Sequence, residues 1–273
     1  MAPGPTSNDH MIDGRTLIID TRNGIAGDIT CAGLISLGAD PTRVADAMER
    51  AGSYIGTASV VPMFNKGIVS LDICLSPSSP HLQESEARGF LSDILSDLDL
   101  SPFHRLIGMR ILDTLCEAER FVHSSDRRLQ HMHRSPPNGF SNKHHPPQAI
   151  LHESQDILCD ITGFVVGLSD LDIRSVRYVQ GVTVGNGSLT FSHGTFEVPA
   201  PATRRILDTH GIPWSLSEEK VGEMATPTGV SILVGSGAEL TEEIATEKST
   251  RTGFASGTRP GLSPVSFHLK DIQ

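Results

Sequence analysis

Residues 185–203 constrain the fold more than any other part of the sequence, because glycine and proline restrict the backbone here at short intervals. Pro199 and Pro201 fix φ and remove two backbone donors, so neither belongs in a central strand or a helix interior. The glycines that permit positive φ or a close backbone approach are Gly185, Gly187 and Gly194. We expect a strand, a turn and a helix that begins near Thr203. The same stiffness would also hold the imidazole of His193 for a chemical task, and the pattern alone leaves both interpretations open.

The composition argues against several classes of partner. A chain of 273 residues is long enough to bury a substantial core, in one large domain or two modest ones. Its net charge of −10 opposes binding to nucleic acid or to an anionic membrane surface, and it favours cations. With one tryptophan and two tyrosines, an aromatic platform for stacking bases is not expected. We therefore predict neither a nucleic-acid partner nor a membrane partner.

Cysteine spacing and the first residues bear on the cellular compartment. The four cysteines lie far apart and form no CxxC pair, which is typical of free, mostly buried thiols in a reducing environment. No apolar run approaches the length of a membrane span. Residues 1–15 are polar, rich in proline and glycine, and lack the features of a signal peptide, so we expect a disordered leader. The predicted location is the cytoplasm.

Hydrophobic periodicity predicts an α+β or α/β fold in which helices pack on a mixed sheet, with no strand order specified. The predicted strands cover residues 16–19, a hairpin at 60–75, 176–184, 188–191 and 265–269. The predicted helices cover residues 29–37, 41–48, 90–98, 107–122, an amphipathic 156–168, 203–209 and 239–248, whereas 228–234 is a helix or a buried strand. Residues 16–126 and 149–273 are interpreted as two α/β parts of one module.

Residues 127–148 separate these parts and combine histidine and proline with almost no apolar side chains. Such a segment cannot bury enough surface to offset the entropy of ordering, so we expect a mobile loop. Flexible imidazoles recruit nickel, copper or zinc without a fixed geometry; the alternative is a plain soluble linker. The candidate ligands in this loop are His131, His133, His144 and His145.

A histidine and three acids follow the loop. His152, Asp156 and Asp160 are spaced i, i+4 and i+8, so on a continuous helix they would share one face, with Glu153 beside them. Imidazole and carboxylate together suit a borderline divalent ion between manganese and zinc. The alternative is a solvated face whose acids complement the N-terminus of the helix.

A strand-to-helix turn near the start of the chain carries a second acidic group. Asp20 ends the predicted strand, and Gly24, Gly27 and Asp28 follow in the turn. Backbone N–H groups at a helix start attract anions, but the full glycine motif and the lysine of a nucleotide loop are missing. Two acids at this turn could instead hold a divalent cation, and plain capping of the next helix by Asp28 is the alternative.

Residues 223–229 place two hydroxyls beside a proline at a predicted helix start. Thr226 and Thr228 could bind an oxyanion there, and Thr226 or Thr228 could equally cap the helix.

Six segments in the same order resemble the LarC family of nickel insertion proteins, and the likeness covers residues 16–270. The family's acidic strand end, GxxGD turn and LGxD helix end match Asp20, residues 24–28 and residues 37–40. The other matches are AEAxVH at 118–123, HE…D…D at 152–160, GxGxxxxxHGxxPVPAPAT at 185–203 with Glu197 in place of the first proline, ELxTPTG at 223–229, and GxGxGTR at 253–259.

The resemblance implies insertion of Ni²⁺, as substrate metal, into a pyridinium-3,5-bisthiocarboxylic acid mononucleotide, with one nickel–carbon bond and nickel–sulfur bonds formed. The product is the nickel-pincer cofactor of lactate racemase. The family consumes CTP with Mn²⁺ or Mg²⁺, in association with a C-terminal domain that follows the last motif. We expect this chain to correspond to the N-terminal module of the system and to lack a CTP site, and a C-terminal-domain chain is a candidate partner. The alternatives are a non-catalytic nickel chaperone that needs a separate C-terminal subunit, and a diverged homologue with a different ligand.

The resemblance and the residue types together suggest roles. Nickel would pass from the loop to an inner site made of His152, Glu153, Asp156, Asp160 and His193. The candidate catalytic residues are Asp20, Asp28 and His193, the two aspartates holding a divalent ion or the ring of the precursor. The candidate contacts to the precursor and its phosphate are Gly24, Gly27, Gly185, Gly187, Thr226 and Thr228.

Overall fold

A mixed seven-stranded sheet forms the centre of the computed structural model, which describes residues 14–79, 81–125, 149–191, 194–242, 250–259 and 261–271. The strands are β1 (Arg15–Ile19), β2 (Gly56–Asn65), β3 (Ile68–Pro77), β4 (His81–Gln83), β5 (Ile150–His152), β6 (Ile173–Val179), β7 (Val182–Thr183), β8 (Gly185–Asn186), β9 (Ser188–Phe191), β10 (Gly194–Glu197), β11 (Trp214–Ser215), β12 (Gly222–Glu223), β13 (Glu239–Thr241), β14 (Thr250–Ala255) and β15 (Val265–Asp271). The helices are α1 (Gly27–Ser36), α2 (Pro41–Gly52), α3 (Glu84–Asp97), α4 (Pro102–Ser125), α5 (Ser154–Asp170), α6 (Pro201–His210) and α7 (Pro227–Gly235), with a short 3-10 helix at Thr21–Asn23.

The large sheet has the order β13–β6–β1–β15–β14–β3–β2. β1 runs parallel to β6 and antiparallel to β15, so the sheet is mixed. Three of its strands (β1, β2 and β3) come before residues 126–148 in the sequence and four (β6, β13, β14 and β15) come after them, and the two groups are interleaved within the sheet. The prediction of a mixed sheet with packed helices is confirmed, and the structure adds the strand order.

Helix α5 lies at the centre of the helical layer, in contact with α1, α2 and α4. Two glycines let it approach its neighbours closely: a β-carbon on Gly163 would lie 2.6 Å from Met48 of α2, and one on Gly167 would lie 2.7 Å from Leu34 of α1. Almost every residue of α5 is buried. The helix is therefore a central element rather than the amphipathic surface helix predicted from its apolar spacing, because neighbours cover it on all sides.

Local signals explain several element boundaries. Asp40 accepts hydrogen bonds from the backbone N–H groups of Thr42 and Arg43 at the start of α2, where Pro41 occupies the first helical position. The hairpin of β2 and β3 turns at Lys66 and Gly67, both with positive φ, as two-residue hairpin loops require. The predicted hairpin and the start of α2 are confirmed.

Two predictions of secondary structure are wrong. Residues 239–248 do not begin as a helix, because Glu239–Thr241 pairs in parallel with β6 and extends the sheet; residues 243–249 lie outside the described residues. The strand predicted over 176–184 breaks at Gln180 and Gly181, which both have positive φ. Its second part, β7, pairs with β11 instead of continuing in the large sheet.

Candidate active site

The first residues of four helices surround one cleft of about 700 Å³. The residues that precede α1, α5, α6 and α7 all line it: Ala26, Glu153, Ala200 and Thr226. A helix N-terminus carries unpaired N–H groups and a partial positive charge. Four such ends at one cleft stabilise negative charge there, whether from side chains or from a bound anion.

Three aspartates contribute that negative charge on the α1–α5 side of the cleft: Asp28, Asp156 and Asp160. Burial raises the pKa of Asp28. Burial, together with the charges of Asp28 and Glu153, raises the pKa of Asp156 to about 7. Burial and the charges of Asp156 and Asp28 raise the pKa of Asp160 well above its ordinary value. A divalent cation would relieve this mutual repulsion, so the cluster suits a cation or a set of shared protons.

Asp160 is the most deeply placed of these acids. Its side chain is 3% exposed, and its Oδ1 atom has no hydrogen-bond partner among the described residues. Its carboxylate reaches the first turn of α1 because residue 27 is glycine: a β-carbon on Gly27 would lie 1.9 Å from Asp160 Oδ2. A buried acceptor without a donor is costly unless a ligand or proton satisfies it.

Three imidazoles line the same cleft. His81 and His152 face each other across the β4–β5 pair, and their Nδ1 atoms are 3.1 Å apart. The ring of His123 stacks on His152 at a centroid distance of 5.4 Å and an interplanar angle of 16°. His123 Nε2 lies 3.4 Å from the Oε2 atom of Glu119, one turn earlier in α4. Imidazole and carboxylate therefore meet in this cleft.

The His81–His152 pair has a spacing that matters for metal binding. Two metal–nitrogen bonds of about 2.1 Å at an angle of roughly 95° would span the same distance. Across the part of the chain that the structure describes, no group of three or more His, Cys, Asp or Glu side chains is already arranged around one metal position. Within the described residues, the cleft thus offers pairs of ligands rather than a closed site.

Glu223 brings a further acid to the α7 side of the cleft. Its Oε1 atom is buried and has no hydrogen-bond partner within the described residues. Burial raises the pKa of Glu223 to about 7, although the positive charge of Arg259 opposes that rise. A group with a pKa near neutrality is suited to accept or donate a proton.

The hydroxyls of residues 226 and 228 line the cleft near Glu223. Thr226 also caps α7, because its Oγ1 atom accepts a hydrogen bond of 3.1 Å from the N–H of Gly229. Thr226 therefore acts as the N-cap of α7, which is one of the two roles that the sequence predicted for it.

Other predicted site residues do not line the cleft. Arg22 binds both carboxylate oxygens of Asp20, at 2.6 and 2.8 Å, so Asp20 and Asp28 do not form one acidic group. A β-carbon on Gly24 would lie 2.1 Å from the carbonyl oxygen of Met224. Gly24 therefore permits a close backbone approach.

Two glycines of residues 185–203 have roles in the backbone conformation. Gly185 pairs with Glu223 between β8 and β12, and its β-carbon would lie 1.9 Å from the carbonyl oxygen of Gly222. Gly187 has a φ of 108°. Neither lines the cleft. The predicted ligands outside the described residues are His131, His133, His144, His145 and His193.

The helical spacing assumed for His152, Asp156 and Asp160 is only partly correct. α5 begins at Ser154, and Glu153 adopts a left-handed conformation with a φ of 55°, so His152 belongs to strand β5. Even so, all four residues line one cleft. Sequence reasoning missed His81, Glu119, His123 and Glu223 as site residues. The AEAxVH match was a signal for Glu119 and His123 and the ELxTPTG match for Glu223, whereas nothing local marks His81.

Comparison with known proteins finds one family model and several related proteins that are similar to this chain. The family model described as "Nickel insertion protein" matches residues 17–135 and 142–264. A protein from Methanothrix thermoacetophila, whose name also refers to nickel insertion, is 31% identical over 258 residues, which cover 90% of this chain and 56% of the relative.

Two further relatives carry a more specific name, pyridinium-3,5-bisthiocarboxylic acid mononucleotide nickel insertion protein. The one from Thermotoga petrophila is 29% identical over 252 residues, covering 89% of this chain and 57% of the relative. The one from Thermotoga sp. strain RQ2 is 27% identical over 258 residues, covering 89% and 58%. The chain spans a little over half the length of these curated relatives. No solved structure gives a significant match. In the described residues, no helix has both the length and the apolar character needed to cross a bilayer.

Proposed function

The chain belongs to the nickel insertion protein family, and we propose that its cleft holds Ni²⁺ for insertion into a pyridinium-3,5-bisthiocarboxylic acid mononucleotide. The substrate is the one in the names of two relatives. Because the chain spans a little over half of those relatives, we propose that it acts as the N-terminal module, together with a second chain or domain.

The observation that carries this proposal is the pair of imidazole nitrogens 3.1 Å apart, in a cleft that also holds a cluster of buried carboxylates. Imidazole suits Ni²⁺, and carboxylate is a harder ligand that holds it less firmly. We propose His81 and His152 as ligands of the incoming ion. Asp156 and Asp160 offset its charge from the other wall.

An incomplete ligand set suits transfer. Nickel held by two imidazoles keeps coordination positions open for the two thiocarboxylate sulfurs of the substrate. Sulfur is the softer donor, so the ion moves from nitrogen and oxygen ligands to the substrate. A closed protein site with three or four ligands would retain it.

A nickel–carbon bond requires the loss of a ring proton. The electron pair of the C–H bond becomes the nickel–carbon bond, and the proton passes to a base, so neither an oxidant nor a reductant is needed. We propose Glu223 as that base, because its pKa lies near 7 and its Oε1 atom is buried in the cleft wall.

CTP fits the cleft less well than the mononucleotide does. The residues that line the cleft include several carboxylates and neither lysine nor arginine, so a triphosphate would lack countercharge there. We propose that CTP and its Mg²⁺ or Mn²⁺ bind outside the part of the protein described here.

Calorimetric titration of Ni²⁺ into the whole chain tests the proposal. We expect His81→Ala and His152→Ala each to weaken the tightest site by about tenfold or more, since each removes one ligand. The matched control is His210→Ala, an exposed histidine at the end of α6. Equal nickel affinity in all three variants and the wild type would overturn the cleft as the nickel site.

A nickel carrier that performs no insertion is the second candidate. It is favoured by the presence of ligand pairs rather than a closed metal site in the described ranges. Mixing the nickel-loaded chain with the C-terminal half of a relative, CTP and the mononucleotide separates the two. If Glu223→Gln still delivers nickel but the mononucleotide is not metallated, the result supports insertion by this chain. If the variant gives full metallation, the result supports a nickel carrier.

A further inference from the structure

A second cavity, the arginine groove, adjoins the cleft. It has a volume of about 530 Å³ and lies between the end of α4 and the first turns of α6. Val122 and Pro201 line both cavities, so the groove opens beside the cleft. Its distinguishing residues are Phe121, Arg204, Arg205 and Asp208.

The two cavities differ in charge. No lysine or arginine lines the cleft, where the acids gather, whereas two guanidinium groups line the groove. The chain as a whole is acidic, with 32 aspartates and glutamates against 22 lysines and arginines, so the groove differs in sign from the net charge of −10. A ligand with a phosphate at one end and metal-binding groups at the other would therefore match the two cavities taken together, with the phosphate in the groove and a nickel ion between the other end and the acids of the cleft.

Aromatic rings hold both guanidinium groups. The Cζ atom of Arg205 lies 3.7 Å from the ring centroid of Phe121, and that of Arg204 lies 5.9 Å from the ring centroid of Trp214. A guanidinium that stacks on a ring keeps its in-plane N–H donors available for an anion. The ring contacts thus position the two arginines without using up those donors.

One carboxylate in the groove offsets only part of this charge. Asp208 accepts a 3.0 Å hydrogen bond from Trp214 Nε1, and its Oδ2 atom lies 3.5 Å from Arg204 Nε. Arg205 forms no ion pair with a carboxylate of the described residues. The N-terminus of α6, at Pro201, adds partial positive charge on the cleft side. The groove therefore keeps a net attraction for an anion.

We propose that the arginine groove binds the phosphate of a pyridinium mononucleotide whose ring lies in the adjoining cleft. This inference rests on the proposed function, which supplies the substrate class. It assigns Arg205 and Arg204 as the phosphate ligands, in place of the hydroxyls of Thr226 and Thr228. The phosphate then meets positive charge in the groove, while the two thiocarboxylates of the ring meet the nickel ion held in the cleft.

The test compares two stable probes that differ only in the phosphate, nicotinic acid mononucleotide and nicotinic acid riboside. Both are titrated into the whole chain by calorimetry. We expect the wild type to bind the mononucleotide more tightly than the riboside. Arg204→Gln/Arg205→Gln is expected to weaken mononucleotide binding about tenfold or more, with riboside binding and nickel affinity unchanged. Arg205→Lys keeps the positive charge without the planar guanidinium, so its affinity for the mononucleotide is expected to lie between those of the wild type and the double variant.

Two control variants sharpen the result. Arg50→Gln removes an arginine that pairs with Asp97 on another surface, and it is expected to change nothing. Arg259→Gln removes the cation nearest to Glu223 and tests a rival position for the phosphate. Circular dichroism and thermal unfolding confirm that each variant is folded.

Equal affinity of the wild type for both probes, or no binding of the mononucleotide, would overturn the phosphate site. A tenfold loss in Arg259→Gln with none in the double variant would do the same. These outcomes are distinguishable from failure of the proposed function, since nickel binding depends on His81 and His152 and is measured without any nucleotide.

Discussion

Gly27 lies so close to Asp160 that a β-carbon at residue 27 would fall 1.9 Å from Asp160 Oδ2. The carboxylate of a buried residue in α5 thereby meets the first turn of α1, where the helix dipole is positive. Further along the same two helices, the absence of a side chain at Gly167 of α5 lets Leu34 of α1 pack against the helix backbone. The position of the deepest acid in the cleft thus depends on the absence of a side chain in a neighbouring helix.

Gly27→Ala is expected to lower the free energy of unfolding by about 1–3 kcal/mol, because the added methyl group overpacks a buried site. It should also weaken nickel binding by displacing Asp160. Gly89→Ala is the control, since Gly89 is exposed in α3 and nothing lies within 4 Å of its β-carbon, and this substitution is expected to stabilise the protein by up to about 1 kcal/mol. Urea unfolding and calorimetry measure both effects. Wild-type stability in Gly27→Ala would contradict the packing described here.

The stability of the metal-free protein is expected to fall as the pH rises from about 4 to 7. The pKa of Asp156 is raised to about 7 in the folded state, so in this range the folded protein binds more protons than the unfolded chain. The stabilising contribution of the protonated group is complete below the unfolded pKa and is lost as the pH rises through the folded one. Asp156→Asn removes this dependence, so at pH 8 it should be more stable than the wild type by about 1 kcal/mol or more. Urea unfolding at pH 5 and pH 8 checks this, and an equal difference at both pH values would contradict it.

Nickel binding at pH 7 is expected to release protons from the cleft. Burial and the charges of Asp156 and Asp28 raise the pKa of Asp160 well above its ordinary value, which favours the protonated carboxyl in the metal-free cleft. A cation that binds this carboxylate competes with the proton. Calorimetry in buffers of different ionisation enthalpy counts the protons released, and Asp160→Asn should release fewer than the wild type. Asp97→Asn, at an exposed residue paired with Arg50, is the control. The same proton count in Asp160→Asn and the wild type would argue against Asp160 as a nickel neighbour.

Glu223→Gln is expected to slow metallation of the mononucleotide by about 10²–10⁴-fold, because it removes the proposed proton acceptor. Nickel affinity should change little. In the wild type the metallation rate should rise with pH up to about 7, since the carboxylate must be ionised to accept the proton. The measurement is a metallation time course across pH with the C-terminal half of a relative supplied. A variant that keeps both the rate and the pH profile of the wild type would exclude this role.

Much of the local structure could be predicted from short-range patterns. Asp40 and Pro41 mark the start of α2, and Lys66–Gly67 marks the hairpin turn, because capping and positive φ depend on a few adjacent residues. The strand predicted at 16–19 corresponds to β1, and the short helix predicted at 203–209 corresponds to α6, which begins two residues earlier. The helix predicted over 239–248 is wrong at residues 239–241, because pairing with β6 outweighs the local preference of charged residues for helix.

Some residues of the candidate site could likewise be predicted from short-range patterns, and others could not. The sequence by itself indicated the family motifs and named His152, Glu153, Asp156, Asp160 and Asp28, since these residues lie within a few positions of one another or of a glycine turn. Only the tertiary structure brought His81 within 3.1 Å of His152 and placed Glu119 and Glu223 in the same cleft. It also showed that Asp20 does not line the cleft and pairs with Arg22 instead. The physical reason is that helix starts and turns depend on neighbouring residues, whereas the cleft depends on contacts between elements that are far apart along the chain.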